Sequence, residues 1–142
     1  MFAAGACNAP VFNWVSISRT WGSKTFDYEP RLGGFRNLAQ GPEPDIAGPA
    51  WRADADANIK LAWQSSPASH VANLTSPLLL IHGDSDANVD FQETVGLVRA
   101  LRRQGRSNVE TLIVPDERHG FALFSNQILA AEATFAFLAR HV

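Results

Sequence analysis

The sequence predicts an α/β fold built on a doubly wound, mostly parallel sheet, and three observations predict it. A continuous apolar run, Leu78–Ile81, and a strand-like segment that turns apolar toward its end, Val109–Val114, each end in a loop that carries catalytic-type side chains. A stretch of helical period lies between them. A second helical stretch succeeds the later run. Strand, loop, helix, strand, loop, helix is the parallel doubly wound order, and such sheets place ligands beyond the carboxyl ends of their strands.

Along the chain, residues 2–8 read as a short buried strand, followed by Pro10 and a loop anchored by Trp14. From Ser16 to Ala53 periodicity is poor, and the breakers Gly33-Gly34, Gly41-Pro42-Glu43-Pro44 and Gly48-Pro49 interrupt it. This is expected to be an irregular excursion with a short helix around Val15–Trp21. So long a loop in a compact domain is often functional. Asp56–Ser65 reads as a helix with Ile59, Leu61, Ala62 and Trp63 on its apolar side.

The second half is cleaner. Leu78–Ile81 comes after Pro77 and suits a central parallel strand buried on both faces. Asp90 is a good N-cap, and Glu93 completes a capping-box pattern. Phe91, Val95, Val98 and Leu101 mark one face of the helix that Gly105 ends. Val109–Val114 is the next strand, stopped by Pro115. Ser125 is expected to cap a last helix with a buried stripe of Ile128, Leu129, Phe135 and Leu138, which Glu132 interrupts.

Composition limits the function classes. Of the 142 residues, 46% are apolar and 18% charged, enough for one domain with a real core. A net charge of −2 gives no field directed at nucleic acid or an anionic membrane. Arg99, Arg102, Arg103 and Arg106 cluster where a helix ends, where cations complement the dipole. Cys7 is the lone cysteine, so no disulfide forms within the chain. No apolar run approaches the roughly 18 residues of a membrane span, and Met1–Cys7 lacks the basic start of a signal peptide. Those absences favour the cytoplasm. A chain that enters directly on strand-like sequence looks cut.

The chemistry sits in the two loops. Asp86 in His82-Gly83-Asp84-Ser85-Asp86 and His119 in Pro115-Asp116-Glu117-Arg118-His119-Gly120-Phe121 lie 33 positions apart, room for one helix and one strand. A serine hydroxyl needs a base to take its proton, and a carboxylate to hold that base in the right tautomer. Asp86 and then His119 read as the acid and base of such a triad, in the α/β-hydrolase order of nucleophile, acid, base. His82, beside Gly83, reads as a structural residue of a tight turn. His70 and His141 carry no supporting context. A calcium loop starting at Asp84 fails, because its sixth position is Val89 and its twelfth Val95. The histidines are too scattered for zinc, and no cofactor is expected.

The nucleophile is missing: no G-x-S-x-G occurs. Gly5-Ala6-Cys7-Asn8-Ala9 imitates it with cysteine. Pro10 and its successors do not open a helix, however, so Cys7 reads as a small strand residue.

With these residues in hand, the sequence resembles the catalytic domain of the prolyl oligopeptidase family of serine peptidases, in its dipeptidyl- and acylaminoacyl-peptidase-like branch. Phe2-Ala3-Ala4-Gly5 resembles the strand after the nucleophile helix, and Ala9-Pro10 through Trp14 the loop beyond it. Leu61-Ala62-Trp63-Gln64-Ser65-Ser66-Pro67 resembles a helix-to-Ser-Pro junction. Ser76–Phe91 resembles the acid segment and Pro115–Phe121 the base segment. The resemblance implies that Asp86 is the triad acid and His119 the base, and that Asn88 stands where the family places a residue binding the substrate backbone. It implies that residues 1–142 are the C-terminal half of an α/β-hydrolase domain lacking the nucleophile elbow. The serine and a β-propeller would lie upstream, and short peptides would be the substrate. Two other readings arise from the same residues: an esterase or dienelactone-hydrolase relative on the same scaffold, and a non-catalytic truncated chain that binds a partner through an open sheet edge.

Overall fold

The computed structural model describes residues 2–16 and 62–142. They fall into two compact units. One comprises the described residues 2–12 and 70–142, and the other the described residues 13–16 and 62–69. The expected excursion over Ser16–Ala53, and most of the helices expected at Val15–Trp21 and Asp56–Ser65, lie outside the described residues.

In the first unit, strands β1 (Gly5–Asn8), β2 (Leu78–Gly83) and β3 (Val109–Val114) form a parallel sheet in the order β1-β2-β3. Gly5 pairs with Leu78 and Asn8 with Ile81, while Leu78 pairs with Val109 and Gly83 with Val114. Helix α1 (Gln92–Arg103) links β2 to β3, and helix α2 (Phe124–His141) comes after β3. β3 has the bounds expected, and β2 runs on through His82 and Gly83. The alternation of side chains sends Leu79 and Ile81 to one face of β2 and Leu80 and His82 to the other; all four are buried. β1 is shorter and less buried than expected: Cys7 and Asn8 are exposed, because no strand pairs with its second edge among the described residues.

The core joins Leu79, Ile81 and Val114 of the sheet to Phe121, Ala130 and Phe137, with Ala4, Ala6, Leu112, Ala133 and Leu138 packed around them. α2 therefore meets the sheet through Ala130, Ala133 and Phe137. That corrects the expected stripe. Ile128 and Leu129 are each 43% exposed and Phe135 is 73% exposed; only Leu138 is partly buried. Small alanines let the helix approach the sheet closely, so the bulkier residues are turned away. Ser125 is not the cap either; the N-cap position is Leu123, without a side-chain bond of its own.

Helix α1 ends as expected. Gly105 takes φ of 71°, its N–H donates to Arg102, and Arg106 N–H donates back to Leu101 O, a Schellman arrangement. Its start differs. Asp90 Oδ1 accepts the Gln92 N–H at 2.8 Å. Glu93, the expected capping-box partner, turns inward and accepts the Phe12 N–H at 2.9 Å. The buried face is accordingly Glu93, Thr94, Leu97 and Leu101, not the expected Phe91, Val95 and Val98 with Leu101. Two polar side chains displace valines there because each finds a buried partner.

In the second unit, the fully buried Ser66 accepts the Trp14 N–H at 2.9 Å and donates to Ala62 O at 2.6 Å. Asn13 Oδ1 accepts the Val15 N–H. A 3-10 helix spans Pro67–Asn73. Among the described residues no helix is long and apolar enough to cross a membrane.

Candidate active site

Adjacent parallel strands deliver two loops to one end of the sheet: residues 84–90 after β2 and 115–123 after β3. The backbone stitches these loops together. Asp84 N–H donates to Val114 O at 3.3 Å, and Ser85 N–H donates to Glu117 O at 3.1 Å. Asp84 Oδ1 accepts the Asp116 N–H at 2.7 Å. Asp116 takes φ of 60°, a left-handed conformation that aspartate tolerates better than most residues.

Asp86 has a fully buried carboxylate. Its Oδ1 accepts the N–H groups of Asn88 at 2.8 Å and Val89 at 3.0 Å, an Asx-type turn closing on the loop. Its Oδ2 lies 2.9 Å from His119 Nδ1. The structure thus brings together the two residues singled out in the sequence. Burial pushes the Asp86 carboxyl upward, but the Val89 amide, the His119 ring and the Asn88 amide outweigh it and hold the group below its ordinary value of 3.8. Asp86 is therefore the carboxylate at neutral pH and an acceptor only. A neutral His119 ring facing that acceptor carries its proton on Nδ1, which leaves the Nε2 lone pair available. The His119 side chain is 44% exposed, and Nε2 has no hydrogen-bond partner among the described residues.

Sequence patterning assigns no role to Glu117. Its buried carboxylate accepts the N–H groups of Ala122 at 2.6 Å and Leu123 at 3.0 Å, and the Asn126 amide at 2.7 Å. The Asn126 bond, then the Ala122 amide, outweigh the upward push of burial, and together with the Leu123 and Arg118 amides hold Glu117 below its ordinary 4.5. Glu117 thus ties the two amides that lead into α2 to the Asn126 side chain in its first turn, and it curls the loop carrying His119 around itself. Its placement, two residues before His119 and five before Ala122, was the available signal. Gly120 at φ 82° and Phe121 at φ 53° complete that curl. Phe121 is buried in the core, which offsets its strained backbone.

His82, expected as a structural residue of a tight turn, lies instead within strand β2, fully buried, and it also touches the site. Nδ1 lies 2.6 Å from Thr94 Oγ1, and Nε2 lies 3.0 Å from Val89 O and 3.3 Å from Asp86 Oδ2. Asn88 contributes its backbone N–H to Asp86 and its side chain is exposed. Although Cys7 is exposed as a residue, its thiol is partly desolvated, which pushes its pKa upward, and Ala9 and Pro10 succeed β1 without opening a helix; neither feature suits an activated nucleophile. Among the described residues no group of three or more His, Cys, Asp or Glu is placed to hold a metal ion.

The profile described as the prolyl oligopeptidase family matches residues 1–142. Acylamino-acid-releasing enzyme 2 of Oryza sativa is 26% identical over 120 residues, covering 83% of this chain and 14% of that protein. Dipeptidyl-peptidase 5 of Porphyromonas gingivalis is 31% identical over 96 residues, covering 68% of this chain and 14% of that one. Esterase LipC of Mycobacterium tuberculosis is 32% identical over 87 residues, 51% of this chain and 22% of the esterase. Among solved structures, the acylaminoacyl peptidase of Pyrococcus horikoshii superposes with a TM-score of 0.70 at 19% identity, over 99% of this chain and 20% of that one. The chain thus spans about a fifth or less of the peptidases it matches.

Proposed function

Since the chain belongs to the prolyl oligopeptidase family, we propose that it supplies the acid and base of a serine peptidase's catalytic domain, Asp86 and His119. The observation that carries this is the 2.9 Å contact between a buried carboxylate and a half-exposed imidazole on loops from adjacent parallel strands. The serine would come from a segment outside this sequence, because the sequence contains no G-x-S-x-G turn.

The two residues then act in sequence. His119 Nε2 takes the proton of the attacking serine hydroxyl, and Asp86 stabilises the imidazolium that results. His119 returns that proton to the leaving amine, giving an acyl-enzyme. In the second half it takes a proton from water and returns it to the serine. Asp86 stays ionised throughout, fixed by its amide bonds.

Short peptides are the proposed substrate, on the strength of the acylamino-acid-releasing and dipeptidyl-peptidase relatives. The remainder of the catalytic domain would cover the open edge of β1. Gly5 and Ala9 donate their N–H groups toward β2, so by alternation Ala6 and Asn8 present theirs to the other edge. A β-propeller would precede that domain. A second reading, an esterase on the same scaffold, draws on the likeness to esterase LipC. Steady-state kinetics of the native protein on matched aminoacyl amides and esters separates the two. Measurable kcat/KM on the amides supports the peptidase, and turnover of esters alone rejects it. No turnover of either, in a protein that folds, would favour the partner-binding reading.

A further inference from the structure

We infer that His82, backed by Thr94, is a positioning residue for the Asp86–His119 pair, holding the Asp86 carboxylate in the rotamer that meets His119. The inference rests on the reading of that pair as acid and base and adds to it a residue that touches neither substrate nor nucleophile. The geometry fixes the proton positions on the His82 ring. Val89 O is a carbonyl, which only accepts, so the Nε2 atom 3.0 Å from it carries hydrogen. In the neutral ring Nδ1 is then a lone pair, and the Thr94 hydroxyl at 2.6 Å donates to it. The ring also meets Phe91 edge-on, with centroids 5.7 Å apart.

Held this way, His82 grips Asp86 by two routes. The direct one is a close approach rather than a hydrogen bond: Nε2 lies 3.3 Å from Asp86 Oδ2, the oxygen that His119 also uses, and blocks the carboxylate from swinging that way. The indirect one runs through Val89, whose carbonyl accepts from His82 while its N–H donates to Asp86 Oδ1. His82, Val89 and Asp86 therefore form a closed loop beneath the site. His82 and Thr94 are both almost wholly buried, at 0% and 2% exposure, so water cannot replace either partner. A carboxylate left without this support could rotate away from His119, which has solvent as an alternative partner.

The test reads the His119 tautomer in the native protein labelled with 15N in its histidine rings, and it needs no turnover. In the wild type the ring shifts of His119 report hydrogen on Nδ1. Asp86→Asn sets the unsupported end of the scale. His82→Phe removes the Nε2–H, and Thr94→Val removes the hydroxyl at nearly constant volume. Both are expected to move the His119 shifts most of the way to the Asp86→Asn values, with His82→Gln and Thr94→Ser restoring them. The inference is overturned if the two variants lower the melting temperature yet leave the His119 shifts at wild-type positions. Should His82→Phe fail to fold, Thr94→Val decides by the same criterion. Asp86→Asn without effect on His119 would overturn the acid–base reading, and this inference with it.

Discussion

Gly83 lies so close against Glu117 that a Cβ at position 83 would collide with the Glu117 carbonyl carbon and oxygen. The last residue of β2 and the loop after β3 therefore meet backbone to backbone, with Ser85 N–H donating to that same carbonyl. This contact sets the separation of the two loops and so the span between Asp86 and His119.

Gly83→Ala should accordingly harm the site as well as the fold. The obstacle is backbone, which cannot step aside as a flexible side chain would, and overpacking of this kind costs about 1–3 kcal/mol. Denaturant unfolding should show that loss. Hydrolysis by the native protein should fall mainly in kcat, because the acid and base separate while substrate contacts elsewhere persist. An unchanged kcat would mean that the loops adjust independently of each other.

Glu117→Ala should lower the melting temperature and also slow hydrolysis, since it frees the amides leading into α2 and releases the curl around His119. Glu117→Gln should recover part of both, because the amide oxygen still accepts one N–H. Thermal melts beside kcat/KM check this; equal damage by both variants would show that charge alone matters.

The acid limb of stability depends on the same carboxylates. Asp86 and Glu117 are both held below their ordinary values of 3.8 and 4.5 in the folded protein. The unfolded chain therefore binds protons more readily than the folded one in that window, and stability rises with pH through it. Their contribution is complete above the ordinary values and is lost as pH falls through the lower folded ones. Unfolding free energy measured against pH should drop steeply below pH 4.5, and less steeply in Asp86→Asn. A slope unchanged by that substitution would contradict the assignment for Asp86.

Phe137, 1% exposed, is the largest side chain binding α2 to the sheet. Phe137→Ala should cost about 3–5 kcal/mol of stability. Phe135→Ala, on the exposed side of the same helix, should cost far less unless another part of the protein covers it. The ratio of the two losses in denaturant unfolding measures that cover.

The strands and the two functional loops were legible in the sequence because they are marked locally. Pro77 and Pro115 punctuate the apolar runs, and Asp86 and His119 each fall a few residues past a strand end. The helix faces were not. In α2 the contact is made by Ala130 and Ala133, which carry little apolar weight, whereas Phe135 and Leu129 draw the eye and point elsewhere. In α1 the capping-box spacing of Asp90 and Glu93 was real, but Phe12, distant in sequence, took the Glu93 carboxylate. The role of Glu117 likewise depends on a loop closing on itself, and no period in the sequence announces that.

The most direct measurement is labelling of the native protein with a serine-reactive phosphonate, read by peptide mass spectrometry in wild type and in His119→Ala. An Asp86–His119 acid–base pair predicts one labelled serine within a G-x-S-x-G peptide, and a rate of labelling lowered by about 10⁴-fold or more without the base. Labelling that proceeds unchanged in His119→Ala, or a protein with no reactive serine at all, would contradict it.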